Sequence, residues 1–170
     1  MLDVTPLADL ARDRELRVAV AESLTSGALA SAIGAGPEAS TWFGGGIVAY
    51  LPEVKERVLG FPSDGDPTSA ECAEQLARGA RELFDADLCV STTGVGGPDA
   101  EDGHPAGTVF LGWATRDGAG HRRLDLDGEP EDVLQSSVEA AVELLISHAG
   151  RVEGAGRVER AGRMEGAGNR

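Results

Sequence analysis

Short apolar runs typical of buried strands alternate along this chain with longer segments of helical periodicity. The strand-like runs lie at 17–21, 45–50, 87–92, 107–115 and 122–126, and the helix-like segments at 7–16, 25–33, 52–59, 69–84 and 131–148. Runs that are apolar throughout indicate strands covered on both faces, and strands that alternate with helices favour a layered α/β domain. We therefore predict a three-layer α/β/α domain with a mixed central sheet.

The sequence divides into a body and a tail. Residues 1–148 carry the alternating pattern, and a chain of 170 residues is one domain's worth, so we expect one globular domain. From Ala149 an Ala-Gly-Arg-Val-Glu-Gly motif repeats with a period of six, which fits neither the helical repeat nor a heptad. Because glycine in every repeat makes a helix costly, we predict that residues 149–170 are a disordered low-complexity extension rather than a docking arm.

The body is strongly acidic. The net charge of the chain is −14, of which the tail contributes +2 and the body −16. An acidic surface repels phosphate backbones, which argues against general nucleic-acid binding. The chain also has one lysine against fourteen arginines. Together these features indicate a halophilic protein adapted to a high-salt cytoplasm, the alternative being an ordinary acidic protein of an arginine-rich proteome.

The sequence also excludes several other classes of protein. No apolar run approaches the ~20 residues of a membrane span and no signal-peptide pattern opens the chain, so we expect a cytoplasmic protein with no membrane partner. Segment 44–49 fits a Gly-x-Gly-x-x-Ala string, but it leads into a strand where a dinucleotide fingerprint must follow one. His104, His121 and His148 lack ligand spacing, so we expect no metal, no cofactor and no histidine-based hydrolase.

Three segments remain at the ends of predicted strands, where ligands bind in open α/β sheets. They read Ala-Glu-Ser-Leu-Thr-Ser-Gly at 21–27, Tyr-Leu-Pro-Glu-Val-Lys at 50–55 and Thr-Gly-Val-Gly-Gly-Pro-Asp at 93–99. Hydrolysis of an amide without a histidine needs Ser23 as nucleophile and the only lysine, Lys55, as base. The amine acts as a base only when neutral, so burial must lower its pKa from ~10.4.

Backbone groups complete the predicted site. The N–H groups of Leu24 and Thr25, at a predicted helix start, are candidates for holding the oxyanion. The same helix start, or the loop from Gly94 to Gly97, is a candidate for cradling a phosphate. Taken singly, each feature has a structural alternative: Ser23 as a helix N-cap, Lys55 as a solvated helix residue, and the glycine loop as a tight turn.

In order and spacing, the three segments resemble the motifs of the CinA C-terminal-domain family of nicotinamide-nucleotide amidases. That family reads Ala-Glu-Ser-x-Thr-Gly-Gly, then Gly-x-x-x-Tyr-Ser-Asn-x-x-Lys, then a Thr/Ser-Gly-x-x-Gly-Pro loop followed by Lys-Pro-x-Gly-Thr-Val. The last motif is His-Pro-Ala-Gly-Thr-Val at 104–109 here, and the match spans about residues 3–148. The resemblance implies that a homo-oligomer without a cofactor hydrolyses nicotinamide mononucleotide to nicotinic acid mononucleotide and ammonia, in pyridine-nucleotide salvage.

The resemblance also implies which residues form the site. Tyr50 joins Ser23 and Lys55 as a catalytic residue, relaying the proton or orienting the amine. The substrate-binding residues it implies are Glu22, Leu24, Thr25, Ser26, Gly27, Gly94, Gly96, Gly97 and Thr108. Glu22 has the alternative of pairing with a neighbouring backbone amide, and Thr25 and Thr108 have the alternative of a structural role.

The sequence departs from the family pattern at several positions. Leu51 and Pro52 replace Ser-Asn, Ser26 replaces a glycine, and His104 replaces a lysine. Where the family carries Gly-Asp-Arg near the start of the last helix, residues 128–130 read Gly-Glu-Pro, which removes a candidate phosphate contact. The identity of the amide therefore stays open. The alternatives are an amidase for a different small amide, or an inactive member that serves as a nucleotide-binding or competence- and DNA-damage-related interaction protein.

Overall fold

The computed structural model describes residues 2–155, which form six helices and a five-stranded sheet. The helices are α1 (Thr5–Asp13), α2 (Ala28–Gly34), α3 (Ala39–Trp42), α4 (Pro52–Leu59), α5 (Ala70–Leu83) and α6 (Pro130–Ala149). The strands are β1 (Val18–Glu22), β2 (Phe43–Val48), β3 (Leu88–Gly94), β4 (Thr108–Thr115) and β5 (Ala119–Asp125). The predicted tail lies mostly outside the described residues, since only 149–155 of it fall within them.

The sheet is mixed, with strand order β2-β1-β3-β4-β5. Strand β1 pairs in parallel with both β2 and β3, whereas β3 with β4 and β4 with β5 are antiparallel pairs. The carboxyl ends of the three parallel strands therefore meet at one edge of the sheet. Residues that directly follow these strands are brought together there, although they are far apart in sequence.

Each face of the sheet carries its own core. On β1, Val18 and Val20 pack into a cluster formed with α1, α2 and α6, whereas Ala19 and Ala21 pack into a second cluster with α4 and α5. Helices therefore cover both faces, as the apolar strand runs predict, and the α/β prediction is confirmed. Within residues 2–155 no helix combines the length and the apolar character that a membrane span requires.

Side-chain caps define the starts of the two longest helices. The Ser69 hydroxyl accepts a hydrogen bond from the Cys72 N–H at 3.1 Å at the start of α5. At the start of α6, Glu129 and Asp132 form a capping box in which each side chain accepts from the other residue's backbone N–H. Such caps satisfy N–H groups that the first helical turn leaves unpaired, and each contributes about 1 kcal/mol.

Two local features differ from the sequence prediction. The helix expected from residue 25 begins only at Ala28, after Gly27 in a left-handed conformation with φ of +104°. The Thr25 side chain bonds to Glu22 and Thr92. The short helix α3 is not evident from the sequence, because four residues are too few to show a helical period.

Candidate functional site

Ser23 lies where the chain leaves the carboxyl end of β1. Its N–H donates to the Thr92 carbonyl oxygen of β3 at 3.0 Å, and its own carbonyl oxygen accepts from the Ser26 N–H at 3.1 Å. The chain therefore turns tightly just after the strand. Ser23 is 8% exposed, and its Oγ forms no hydrogen bond within residues 2–155. A nearly buried hydroxyl at a strand end is thus left available to a ligand.

Glu22, the last residue of β1, stabilises this turn through hydrogen bonds to its carboxylate. Its carboxylate is fully buried and accepts four hydrogen bonds, from the Thr25 hydroxyl at 2.7 Å, the N–H groups of Gly27 and Leu29 at 3.0 Å, and the Ala30 N–H at 2.8 Å. These contacts favour the alternative roles of the two residues, in which Glu22 pairs with neighbouring backbone amides and Thr25 is structural. Both are buried beneath the turn, and both position it.

The start of α2 is not the open anion site that the sequence prediction suggested. The N–H groups of Gly27, Leu29 and Ala30 are already bound to Glu22, so they are unavailable to a phosphate. Ser26 is exposed and adopts a left-handed conformation with φ of +50°, in the tight turn that precedes the helix. Leu24 and Thr25 precede the helix rather than opening it, and within residues 2–155 their N–H groups donate no hydrogen bond.

Lys55 is buried, although it is a lysine on a surface helix. The helix α4 turns Lys55 and Leu59, one turn apart, toward the interior, and Lys55 is only 4% exposed. In the part of the chain that the structure describes, its amine has no hydrogen bond and no ion pair. Burial lowers the pKa of the Lys55 amine, and the nearby Cys72 and Glu101 oppose that shift. Because burial raises the pKa of the Cys72 thiol to about 11, that thiol is neutral at neutral pH.

Ser23 and Lys55 face the same pocket at the carboxyl edge of the parallel strands. The pocket has a volume of ≈ 160 Å³ and is also lined by Leu24, Tyr50 and Gly94. Tyr50 stands at its rim and is 61% exposed. The structure thus brings together all three residues that the sequence predicts as catalytic, Ser23 from one segment and Tyr50 and Lys55 from a second. No direct hydrogen bond joins Ser23 Oγ and Lys55 Nζ in the structure of residues 2–155.

The glycine-rich loop contributes to the pocket through only one of its predicted residues. Gly94 lines the pocket, whereas Gly96 and Gly97 do not, and Thr108 is buried behind Gly94. A Cβ atom on Gly94 would overlap the Thr108 carbonyl oxygen, and φ at Gly94 is +150°. Glycine is therefore required at Gly94 for the strand to pass this close to β4.

The remaining wall of the pocket is formed by residues that the sequence prediction does not assign to the site. They are Pro52, Pro67, Thr68, Thr93, Glu101 and Asp102. The acidic pair follows the glycine-rich loop directly, which is the one sequence signal that points to it. Nothing in the local sequence marks Pro67 or Thr68. The Thr93 hydroxyl donates to the Pro67 carbonyl oxygen, which fixes this wall to the end of β3.

No metal centre is formed by this arrangement. Within residues 2–155, histidine, cysteine, aspartate and glutamate side chains do not gather in groups of three or more that suit a metal ion. None of the three histidines is among the lining residues of the pocket. The pocket lining offers the hydroxyl of Ser23, the amine of Lys55, the phenol of Tyr50 and two carboxylates.

Comparisons with known proteins agree with this fold. The sequence model of the CinA C-terminal domain matches residues 4–149. A CinA-like protein from Geobacter sulfurreducens is 36% identical over 146 residues, which cover 83% of this chain and 35% of that protein. The chain spans between 26% and 35% of the length of the first curated relatives it matches.

Solved structures give the same result. A competence-damaged protein (CinA) superfamily protein from Escherichia coli superposes with a TM-score of 0.80 at 33% identity, covering 85% of this chain and 87% of that one. A CinA superfamily protein from Klebsiella pneumoniae superposes with a TM-score of 0.81 at 30% identity, covering 86% and 94%. In both sequence and fold, the chain belongs to the CinA C-terminal domain family.

Proposed function

We propose that the chain is an amidohydrolase that hydrolyses the carboxamide of a pyridine nucleotide, nicotinamide mononucleotide being the substrate implied by the motifs. The observation that carries the proposal is the presence of Ser23 and Lys55, both buried, in one small pocket. A buried amine without a partner is unfavourable unless it serves a ligand or a reaction. A hydroxyl and such an amine are the minimal pair for attack on an amide.

In the proposed mechanism, neutral Lys55 takes the proton of Ser23 Oγ as the oxygen attacks the amide carbon. The tetrahedral intermediate then breaks its C–N bond, Lys55 returns the proton to the leaving nitrogen, and ammonia departs, leaving an ester on Ser23. Water attacks this ester with Lys55 again taking the proton, which releases the carboxylic acid and restores the hydroxyl. The proton taken from Ser23 thus leaves with ammonia, and the proton taken from water returns to Ser23.

Two further groups have roles in this scheme. The N–H of Leu24, which has no acceptor within residues 2–155, is a donor for the oxyanion on the pocket side of the turn. One such donor contributes about 3 kcal/mol to lowering the barrier. Tyr50, at the rim, covers the entrance and contacts the bound ring or the Lys55 amine.

The test is release of ammonia from nicotinamide mononucleotide by the purified chain. We expect Ser23→Ala and Lys55→Arg to abolish release, the second because arginine keeps the positive charge but does not give up its proton. Ser31→Ala, which removes an exposed hydroxyl on α2 outside the pocket, is the matched control and should keep wild-type activity. Activity that survives in Ser23→Ala would refute the mechanism.

A second candidate is a binding module without catalysis. It is favoured by the absence of a hydrogen bond between Ser23 Oγ and Lys55 Nζ within residues 2–155. Calorimetry separates the two candidates. Binding of the nucleotide by a wild-type protein that releases no ammonia would support the binding module.

A further inference from the structure

The charged groups of the pocket are unevenly distributed. Two carboxylates, those of Glu101 and Asp102, line it. The only cationic residue among its lining residues in the described chain is Lys55. In the proposed reaction that amine is neutral when substrate binds, so the carboxylates dominate the charge that an incoming ligand meets.

The segment that carries the two carboxylates is held by backbone and side-chain hydrogen bonds. Glu101 and His104 form an isolated β-bridge in which each N–H donates to the other's carbonyl oxygen, at 3.0 and 2.9 Å. His104 Nε2 lies 2.8 Å from an Asp66 carboxylate oxygen, and the other oxygen of Asp66 accepts from the Thr68 N–H at 2.9 Å. The segment that carries the two carboxylates is therefore tied to the Thr68 wall, which fixes their place in the pocket lining.

This charge has opposite effects on the two ends of a pyridine nucleotide. The ring nitrogen of an N-ribosyl pyridine carboxamide is a pyridinium cation, which the carboxylates attract. A phosphate on the ribose carries between about −1.5 and −2 charges at neutral pH, as phosphate monoesters do, and the same carboxylates repel it. Among the described lining residues the one basic side chain is Lys55, and its amine is neutral in the proposed reaction.

We propose that Glu101 and Asp102 make this pocket select a cationic pyridinium carboxamide without a phosphate, so that the nucleoside is a better substrate than the nucleotide. The inference rests on the proposed amidase chemistry of Ser23 and Lys55, and it replaces the nucleotide that the motifs imply by the nucleoside as the preferred substrate. Glu101 and Asp102 determine specificity in this proposal, and they take no part in bond breaking. The Lys55 amine and the Ser23 hydroxyl define where the carboxamide binds. The two carboxylates define which ring substituents the pocket accepts.

The experiment compares kcat/KM for ammonia release from three probes: nicotinamide riboside, nicotinamide mononucleotide and neutral nicotinamide. We expect the wild type to prefer the riboside over the mononucleotide by roughly tenfold, because both carboxylates are exposed and their field is partly screened. The double variant Glu101→Gln with Asp102→Asn should reduce that ratio toward one. It should also reduce the preference for the riboside over neutral nicotinamide.

The ratio between substrates is the decisive readout. Removing the Glu101 charge also changes the pKa of Lys55, but this alters the rate for all three probes by the same factor and leaves their ratios unchanged. Glu56→Gln is the matched control, since it removes one exposed carboxylate from α4 outside the pocket lining. It should leave the ratios at their wild-type values.

Failure of this inference is distinguishable from failure of the proposed function. Ammonia release that depends on Ser23 but favours the mononucleotide, or ratios that stay constant in the double variant, would overturn the selectivity and leave the amidase intact. Absence of release from all three probes would overturn the amidase, and with it the inference.

Raising the salt from about 0.1 to about 1 M shortens the screening length from about 10 to about 3 Å, so the riboside preference should fall.

Discussion

The Thr25 hydroxyl donates a 2.7 Å hydrogen bond to the buried carboxylate of Glu22, three residues earlier in the chain. A second contact of 2.7 Å joins the Thr25 and Thr92 hydroxyls. Since Thr25 gives its only hydroxyl proton to Glu22, Thr92 is the donor in the second bond. This chain of bonds connects β3 to the turn that presents Ser23, so the position of Ser23 depends on side chains buried beneath the turn.

Replacing Glu22 should destabilise the fold and misplace Ser23. Glu22→Gln removes one acceptor oxygen and leaves buried N–H groups unpaired, at about 1–3 kcal/mol for each unsatisfied group. We expect a loss of this size in the free energy of unfolding from urea denaturation. Glu56→Gln, an exposed change on α4, should stay within about 0.5 kcal/mol of the wild type. A Glu22→Gln variant with the same free energy of unfolding as the wild type would contradict this role.

The activity should depend on the ionisation of Lys55. Because only the neutral amine accepts a proton, kcat/KM should rise with pH through the pKa of Lys55, with a midpoint below ~10.4 since burial lowers that pKa. Glu101→Gln should shift the midpoint to lower pH, because the Glu101 carboxylate raises the Lys55 pKa. A pH profile that does not move in this variant would mean that another group controls the rate.

Lys55 should also make stability depend on pH. Its pKa is lower in the folded chain, so the unfolded chain binds more protons between that value and ~10.4, and the free energy of unfolding rises with pH in this window. Lys55→Met removes the buried amine, and we expect it to be more stable than the wild type at neutral pH. The advantage should shrink toward about pH 10 in urea titrations. A constant difference across this range would show that the gain comes from packing alone.

Gly94 should not tolerate a side chain. In Gly94→Ala the new methyl group would overlap the Thr108 carbonyl oxygen, in a backbone conformation with φ of +150° that side chains rarely adopt. We expect a loss of about 1–3 kcal/mol in thermal or urea unfolding. Gly118→Ala is the matched control, because no atom lies within 4 Å of the position that its new Cβ would take. Equal stabilities of the two variants would refute the close approach of β3 and β4.

Salt should stabilise the protein. With a net charge of −14, repulsion among carboxylates opposes the folded state, and added salt screens it. We expect the unfolding temperature to rise between about 0.1 and about 2 M potassium chloride. The rise should be smaller at about pH 4, where the carboxylates are partly protonated. A midpoint that falls as salt is added would count against salt adaptation.

The sequence by itself determined the layered architecture. Apolar runs such as the one that became β3 predict a strand covered on both faces, and Pro52 marks the start of α4 because proline is tolerated in the first helical turn. It also identified Ser23, Tyr50 and Lys55 as the residues of interest. The fold prediction succeeds because hydrophobic periodicity is a local property of the chain.

Tertiary structure decided everything that depends on which segments meet. That Glu22 is bound by four donors of its own chain, and is therefore unavailable to a substrate, follows from the turn after β1 and not from its neighbours in sequence. Glu101 and Asp102 face Lys55 in one pocket because β1 pairs with both β2 and β3, which gathers three strand ends. Charge, burial and pKa depend on distances in space, and those distances are set by the pairing of strands far apart in the chain.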